Sequence, residues 1–391
     1  MITVSEALHT IEEKVTPSRT TETISVDNSL GRILAADCHA PISLPSFRQS
    51  VMDGYALCLH EATTYTLVGE VKAGDAPKYT LKPGEAVRIF TGAPVPHTAQ
   101  AVVMQEYVTK RGNEIALEHN PKEGTHVRAI GEQIKEGALC LSKGHRINPS
   151  SIALLKSFGI QQISVSTLPK VAIVVTGSEL VEAGTPLSEG KIYESNSALI
   201  RAALQQKGIT DVVVHQVADS LTATQELLQD LVAKQDLVLI SGGISVGDYD
   251  FVGTALRNLG VTEHFYKVLQ KPGKPLFFGS KDQTYVLGLP GNPASTLTCL
   301  YVYGFALLDL WLGAEQIGLP KMELPLAETI ENPFGRALFL KAHISGSEVM
   351  PLHLQQSSTV LSFAQANALL YIPANSTTQP KGALAKTLLL P

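Results

Sequence analysis

Apolar residues in this chain gather in short uninterrupted runs that stop at glycine or proline and resume with helical spacing. Residues 237–240, 171–175 and 285–289 are such runs, the pattern expected of strands buried on both faces of a parallel sheet. Each ends in a turn-forming group: Ser241-Gly242-Gly243, Thr176-Gly177-Ser178-Glu179 and Pro290-Gly291-Asn292-Pro293. Residues 197–207 and 223–233 read as helices, 211–219 as a strand, and a helix is expected to start near Ala294 and Ser295. This alternation predicts a parallel sheet covered by helices from about residue 170 to 315. Before it, residues 1–15 carry an amphipathic helix pattern, and residues 55–140 are short strands punctuated by turns. Asn148 and Pro149 read as the cap and first position of a helix ending near Gly159. After Pro320 the alternation turns short and strand-like, as in a small antiparallel β domain.

Composition narrows the class. A chain of 391 residues exceeds one ordinary core, and 44% hydrophobic with 17% charged residues describes a globular protein. The formal charge of −5, with no basic block, argues against nucleic acid as partner. Cys38, Cys58, Cys140 and Cys299 form no CxxC pair, which fits a reducing cytoplasm rather than a disulfide framework or zinc site. The first residues do not resemble a signal peptide. Residues 297–314 are nearly all apolar and about as long as a membrane span. Asp309, Gly304 and the absence of flanking positive charge favour a buried helix there, so no membrane association is expected.

The strand ends carry the candidate chemistry. In open α/β sheets ligands sit outside the carboxyl ends of the strands. Glu179, Asp219, Asp248 and Asp250 fall at such ends and would form an acidic rim. Lys267, Lys271 and Lys274 lie in the intervening segment, with Pro272, Gly273 and Pro275 around the last two. Lysines, glycines and carboxylates in one crevice suit a phosphate-bearing ligand beside a divalent metal. In the β-rich region, Thr91-Gly92-Ala93-Pro94 is on its own a turn, and Arg128 on its own a solvated charge.

Taken together, the stretches PSFRQSVMDGYA, IFTGAPVP followed by AVVMQE, VRAIGEQI, VAIVVTGSEL, IYESN, LVLISGGISVGDYDF, KPGKPLFFG, GLPGNPAS and QANALLYIP resemble the MoeA type of molybdopterin molybdenumtransferase, related to the carboxyl-terminal domain of gephyrin. The resemblance covers essentially the whole chain. It implies a multidomain α/β plus β protein whose three-layer α/β domain has the molybdopterin-binding fold. The implied domains are an extended N-terminal one (1–43 and 138–168), a β-rich one (44–137), the α/β domain (169–318) and a C-terminal β domain (319–391). It also implies an L-shaped cytoplasmic homodimer, with the cleft between the α/β domain and the partner subunit's β domain. The implied reaction inserts molybdate into adenylylated molybdopterin and releases AMP with Mg²⁺ assisting. A molybdopterin adenylyltransferase and molybdoenzyme acceptors are the implied partners.

Carried over by position, Asp53, Thr91, Glu179, Asp219 and Asp250 are the implied catalytic residues, the last three also the metal ligands. Arg128, Gly242, Gly243, Ser245, Gly247, Lys267, Lys271, Lys274, Pro290, Gly291 and Ser295 are the implied cofactor contacts. The chain departs from the family pattern at Gln133, where an aspartate is usual, at Arg48-Gln49-Ser50, at Lys341 in place of an arginine, and at Gln356-Ser357-Ser358. Removing an acidic charge alters a candidate anion or metal site. Two other readings therefore stay open: a divergent paralogue that binds molybdopterin with weak or altered insertase activity, and a gephyrin-like interaction scaffold.

Overall fold

The segment Val171–Thr176 (β1) is buried along its length until its last residue. Its side chains alternate between two cores, as a period of two requires. Val171, Ile173 and Val175 enter one hydrophobic cluster, Ala172 and Val174 another. The further strands are Val212–Val217 (β2), Leu237–Ser241 (β3), Thr262–Lys267 (β4), Pro275–Lys281 (β5) and Thr284–Leu289 (β6). They form one sheet in the order β2-β1-β3-β6-β5-β4. This computed structural model describes residues 1–76, 78–244 and 251–391.

The first four strands in that order are parallel, as the runs of branched residues predict. The other two are antiparallel, so the sheet is mixed rather than wholly parallel. The cause is local: β5 and β6 are joined by Asp282 and Gln283, and Asp282 takes a left-handed φ of 53°. So short a link closes a hairpin and cannot make the crossover that a parallel pair needs.

Helices cover both faces. Asn196–Gln206 (α1) buries Ile200, Ala203 and Leu204, while Leu221–Lys234 (α2) and Phe251–Asn258 (α3) bury Leu228, Leu231, Leu256 and Ala255 on the opposite side. The apolar stretch is a buried helix, as expected: Pro293–Cys299 (α4) passes through a π-helical turn at Leu300–Gly304 into Phe305–Leu312 (α5). By length and hydropathy this helix qualifies as a membrane span, yet 89% of its most apolar window is inside the core. Asp309 within it is fully buried and accepts from Arg146 Nη2 (2.6 Å), Lys207 Nζ (2.8 Å) and the Gly318 amide (2.9 Å). The N-terminal helix Val4–Lys14, closed by a capping box between Thr3 and Glu6, adds Val4, Ala7 and Ile11 to the same core.

The C-terminal strands Lys321–Pro325 (β7), Ala337–Ser345 (β8), Glu348–Pro351 (β9), Ala368–Ile372 (β10) and Leu384–Leu389 (β11) pair antiparallel, as the alternation predicts. β8 also pairs in parallel with Gln270–Lys271. Main-chain bonds thus tie the segment bearing Lys271 to this sheet.

By contacts, residues 1–36, 143–152 and 162–391 form one unit, and residues 37–142 and 153–161 a second. The second unit is built on a six-stranded sheet in which Gly54–Leu57 lies between Glu85–Ile89 and Ala101–Met104. Gly54 is required there, since a Cβ would collide with the Val103 carbonyl.

Candidate functional site

The sheet order places β1 between β2 and β3, so the chain leaves β1 on one side and crosses to the other after β2. That is a topological switch point, where strand-end loops diverge and leave a crevice. A cavity of 1280 Å³ opens at this place. Thr176, Gly177, Ser178 and Glu179 line it from the end of β1, Asp219 from the end of β2, and Ser241, Gly242 and Gly243 from the end of β3. Lys271, Gly273 and Lys274 add a basic side, and Pro290, Gly291, Asn292 and Ser295 follow β6.

The loops are held close by the absence of side chains. Gly242 has φ 91°, and a Cβ on it would meet Thr176 Oγ1 at 2.7 Å. Gly243 has φ 62°, and its Cβ would press on Val252 at 2.7 Å. Only glycine takes these conformations at this spacing without displacing the neighbouring loop. Across the crevice, Asn196 at the start of α1 donates from Nδ2 to Ser241 Oγ (2.8 Å) and to the Gly291 carbonyl (2.7 Å), joining three loops. Asp219 Oδ2 accepts from the Ser178 amide at 3.0 Å, which fixes its carboxylate against the β1 loop.

The basic side rests on a buried polar group. Gln270 donates to the Gly273 carbonyl (2.9 Å) and accepts a hydrogen bond from the Tyr303 hydroxyl. Burial pushes the Cys299 thiol beneath this loop up to about 12, so it stays protonated and packs as an apolar group. A Cβ on Gly273 would collide with that sulfur. Lys271 is exposed, its Nζ 4.8 Å from the Phe334 ring centre.

Lys267 is half-buried, with Nζ 5.7 Å from the Tyr266 ring centre, and does not line the cavity. Ser245, Gly247, Asp248 and Asp250 lie outside the described residues. Ser295 is buried, and the amides of Ala294 and Ser295 donate to the Ser357 carbonyl (3.1 and 3.2 Å). In the second unit, Asp53 and Thr91 meet: the Thr91 amide and hydroxyl both donate to Asp53 Oδ1 at 2.8 Å. The amide bond first, then the hydroxyl, holds the exposed Asp53 carboxyl below its ordinary range. Arg128 is exposed, 3.5 Å from Glu132 Oε1, and lines a separate cavity of 490 Å³ with Gln49, Gln133 and Ser157.

Asn196, Arg336, Gln355, Ser357 and Ser358, for which the motifs imply no contact role, also line the large cavity. Asn196 lies within IYESN and Ser357-Ser358 where the chain departs from the family pattern, so both carried a signal. Arg336 and Gln355 carried none.

A doubly wound α/β unit with a cavity of 1280 Å³ at the switch point, lined by lysines, carboxylates and closely approached glycines, has the chemistry expected of a site for an anionic ligand. Comparison narrows the class. Residues 2–159 match the description "MoeA N-terminal region (domain I and II)", residues 172–309 "Probable molybdopterin binding domain", and residues 323–390 "MoeA C-terminal region (domain IV)". A molybdopterin molybdenumtransferase of Staphylococcus epidermidis is 31% identical over 90% of this chain and 87% of its own length. One of Bacillus subtilis is 30% identical over 95% of this chain and 90% of its own. The solved structure of a molybdopterin biosynthesis MoeA protein from Pyrococcus horikoshii shares 28% identity at a TM-score of 0.87, covering 100% of both chains. The chain belongs to the molybdopterin molybdenumtransferase (MoeA) family.

Proposed function

We propose that this chain acts in molybdenum cofactor biosynthesis, inserting molybdenum from molybdate into adenylylated molybdopterin with release of AMP. The observation that carries this reading is the cavity at the β1–β3 switch point in a chain of this family. Its volume suits an extended ligand with a pterin at one end and a nucleotide at the other. Lys271 and Lys274 are cations for the phosphates and for molybdate. Thr176, Gly242 and Gly243 expose backbone and a hydroxyl that approach a flat ring closely. Asn196 draws the β3 and β6 loops together and so keeps these groups on one ligand.

Among the described residues no three His, Cys, Asp or Glu side chains cluster as a self-sufficient metal site. Glu179 and Asp219 on neighbouring strand ends do fit Mg²⁺, which commonly takes one or two carboxylates and completes its shell with substrate phosphates and water. When bound, the cation would supply neutralisation of charge on the pyrophosphate. The same reading makes the protein a cytoplasmic homodimer, supplied by an adenylyltransferase and feeding molybdoenzymes. Four free thiols support a reducing compartment.

The test is AMP release from adenylylated molybdopterin by the purified protein, with and without molybdate and Mg²⁺. Release that needs both, and falls by about a hundredfold or more in Glu179→Gln, supports the reading. Tight binding without release would move it to the divergent paralogue. Gln133 beside Arg128 is the observation favouring that second reading. For an active insertase, Gln133→Asp should change kcat/KM by less than about threefold. A rise of an order of magnitude would mark the glutamine as the lesion of a weakened enzyme.

A further inference from the structure

Lys341 lies in the middle of β8 with its side chain only 2% exposed. Among the described residues it forms no ion pair. Its ammonium donates instead to three carbonyls of one loop: Leu354 (2.9 Å), Gln356 (3.2 Å) and Thr359 (3.3 Å). Lysine has three donors and no acceptor, so the three oxygens satisfy it in full. Burying a charge is costly without such partners.

The loop needs this partner as much as the lysine does. Leu354 has φ 63°, a left-handed conformation that leucine rarely takes, and its carbonyl also accepts from Ser362 Oγ at 2.9 Å. Gln355 then pairs with the backbone of Lys341 in both directions, accepting from its amide (3.0 Å) and donating to its carbonyl (2.8 Å). Two residues on, Ser357 reaches the cavity. Its carbonyl accepts from the Ala294 and Ser295 amides at the start of α4, and its hydroxyl lies 2.9 Å from Asn292 Nδ2, which donates to it. Gln355, Ser357 and Ser358 line the cavity, whereas Lys341 does not.

We propose that Lys341 is a positioning residue whose buried ammonium shapes loop 354–359 and, through Ser357, the start of α4, so that one wall of the cavity is formed before ligand arrives. The proposal rests on the functional reading above for the identity of that ligand. A preformed wall lowers the cost of ordering on binding, so its loss acts on affinity more than on rate. An ammonium that merely stabilised β8 would leave both the loop and KM alone.

Lys341→Met keeps the apolar stem and removes the donors. The expected result is faster backbone amide exchange in segments 293–299 and 354–359. KM for adenylylated molybdopterin should rise about tenfold, with kcat within about twofold of wild type. Lys341→Arg keeps cationic donors and should restore most of the affinity. Adding Leu354→Gly to the methionine variant should restore part, because glycine holds the left-handed conformation unaided. Should Lys341→Met fail to fold, Ser362→Ala removes the other donor to Leu354 and should give the same pattern in milder form. Unchanged exchange in both segments, or a loss in kcat at constant KM, would overturn the proposal. If wild type does not turn over adenylylated molybdopterin, the functional reading fails, and the exchange result alone still decides the clamp.

Discussion

The crevice between β1 and β3 and the Thr91 turn bonded to Asp53 both present oxygen atoms to solvent, and they are held by different means. In the crevice, position comes from packing: buried strands deliver Thr176 and Ser241, glycines let the loops touch, and Asn196 ties three of them. At the turn, position comes from two hydrogen bonds to the exposed Asp53 carboxylate, one from the Thr91 amide and one from its hydroxyl. The first arrangement is exposed to every change in the core beneath it. The second is exposed chiefly to pH. The same kind of atom thus answers to different perturbations, according to whether the chain behind it is buried.

The contrast is broken most severely in the core of the first unit. Asp309 holds Arg146, Lys207 and the Gly318 amide from inside α5. Burial lowers the Lys207 pKa, against the opposing pull of Asp309. Asp309→Asn leaves two cations without their counter-charge and should destabilise the unit by about 3–5 kcal/mol, the usual cost of breaking a buried pair from one side. Chemical denaturation followed by circular dichroism checks this. A loss under about 1 kcal/mol would mean that solvent reaches the cluster.

Next in size is a test within the crevice. Gly242→Ala must hold alanine at φ 91° and push Thr176 away, a backbone penalty of roughly 1–2 kcal/mol before the contact is counted. Ligand affinity should fall by about tenfold or more. Gly291→Ala is the control, since among the described residues its Cβ would meet only Gly242 Cα at an ordinary 3.6 Å. Equilibrium binding of AMP to both variants separates them. Equal loss would show that the crevice is not set by close loop approach.

Much of the crevice was legible in the sequence because strand, turn and glycine signals are local. Runs of Val, Ile and Leu marked β1, β3 and β6, and the carboxyl ends of β1 and β2 bring Glu179 and Asp219 to one cavity. The direction of β4 and β5 was not legible, since an apolar run carries no polarity along the chain and only the Asp282-Gln283 link reveals the hairpin. The support behind the wall formed by Gln355 and Ser357 was hidden for another reason. It depends on Lys341, a residue that ordinarily faces water, being satisfied by carbonyls distant in sequence. The meeting of Asp53 and Thr91, separated by three strands, required the register between Gly54–Leu57 and Glu85–Ile89.

The smallest effect belongs to that turn. Asp53 is fully exposed, so its ionisation is read through pH rather than stability. Its carboxyl titrates below the ordinary 3.8 because the Thr91 amide, and secondarily the hydroxyl, donate to the charged form. Thr91→Val removes the hydroxyl and leaves the amide, so the Asp53 pKa should rise part of the way back. The sign follows from the depressed folded value. Stability linked to this carboxylate is present above the unfolded pKa and is lost as pH falls through the folded one. In charge, wild type and variant should be alike at neutral pH and diverge in acid, the variant being protonated first, while the stability linked to the carboxylate is smaller in the variant at neutral pH and the two converge once both carboxyls are protonated. Carbon-detected NMR titration of the Asp53 carboxyl in the full chain reads this directly. A pKa unmoved by the substitution would show that the amide alone holds the charge, and that the threonine is there for a purpose other than fixing its neighbour's ionisation.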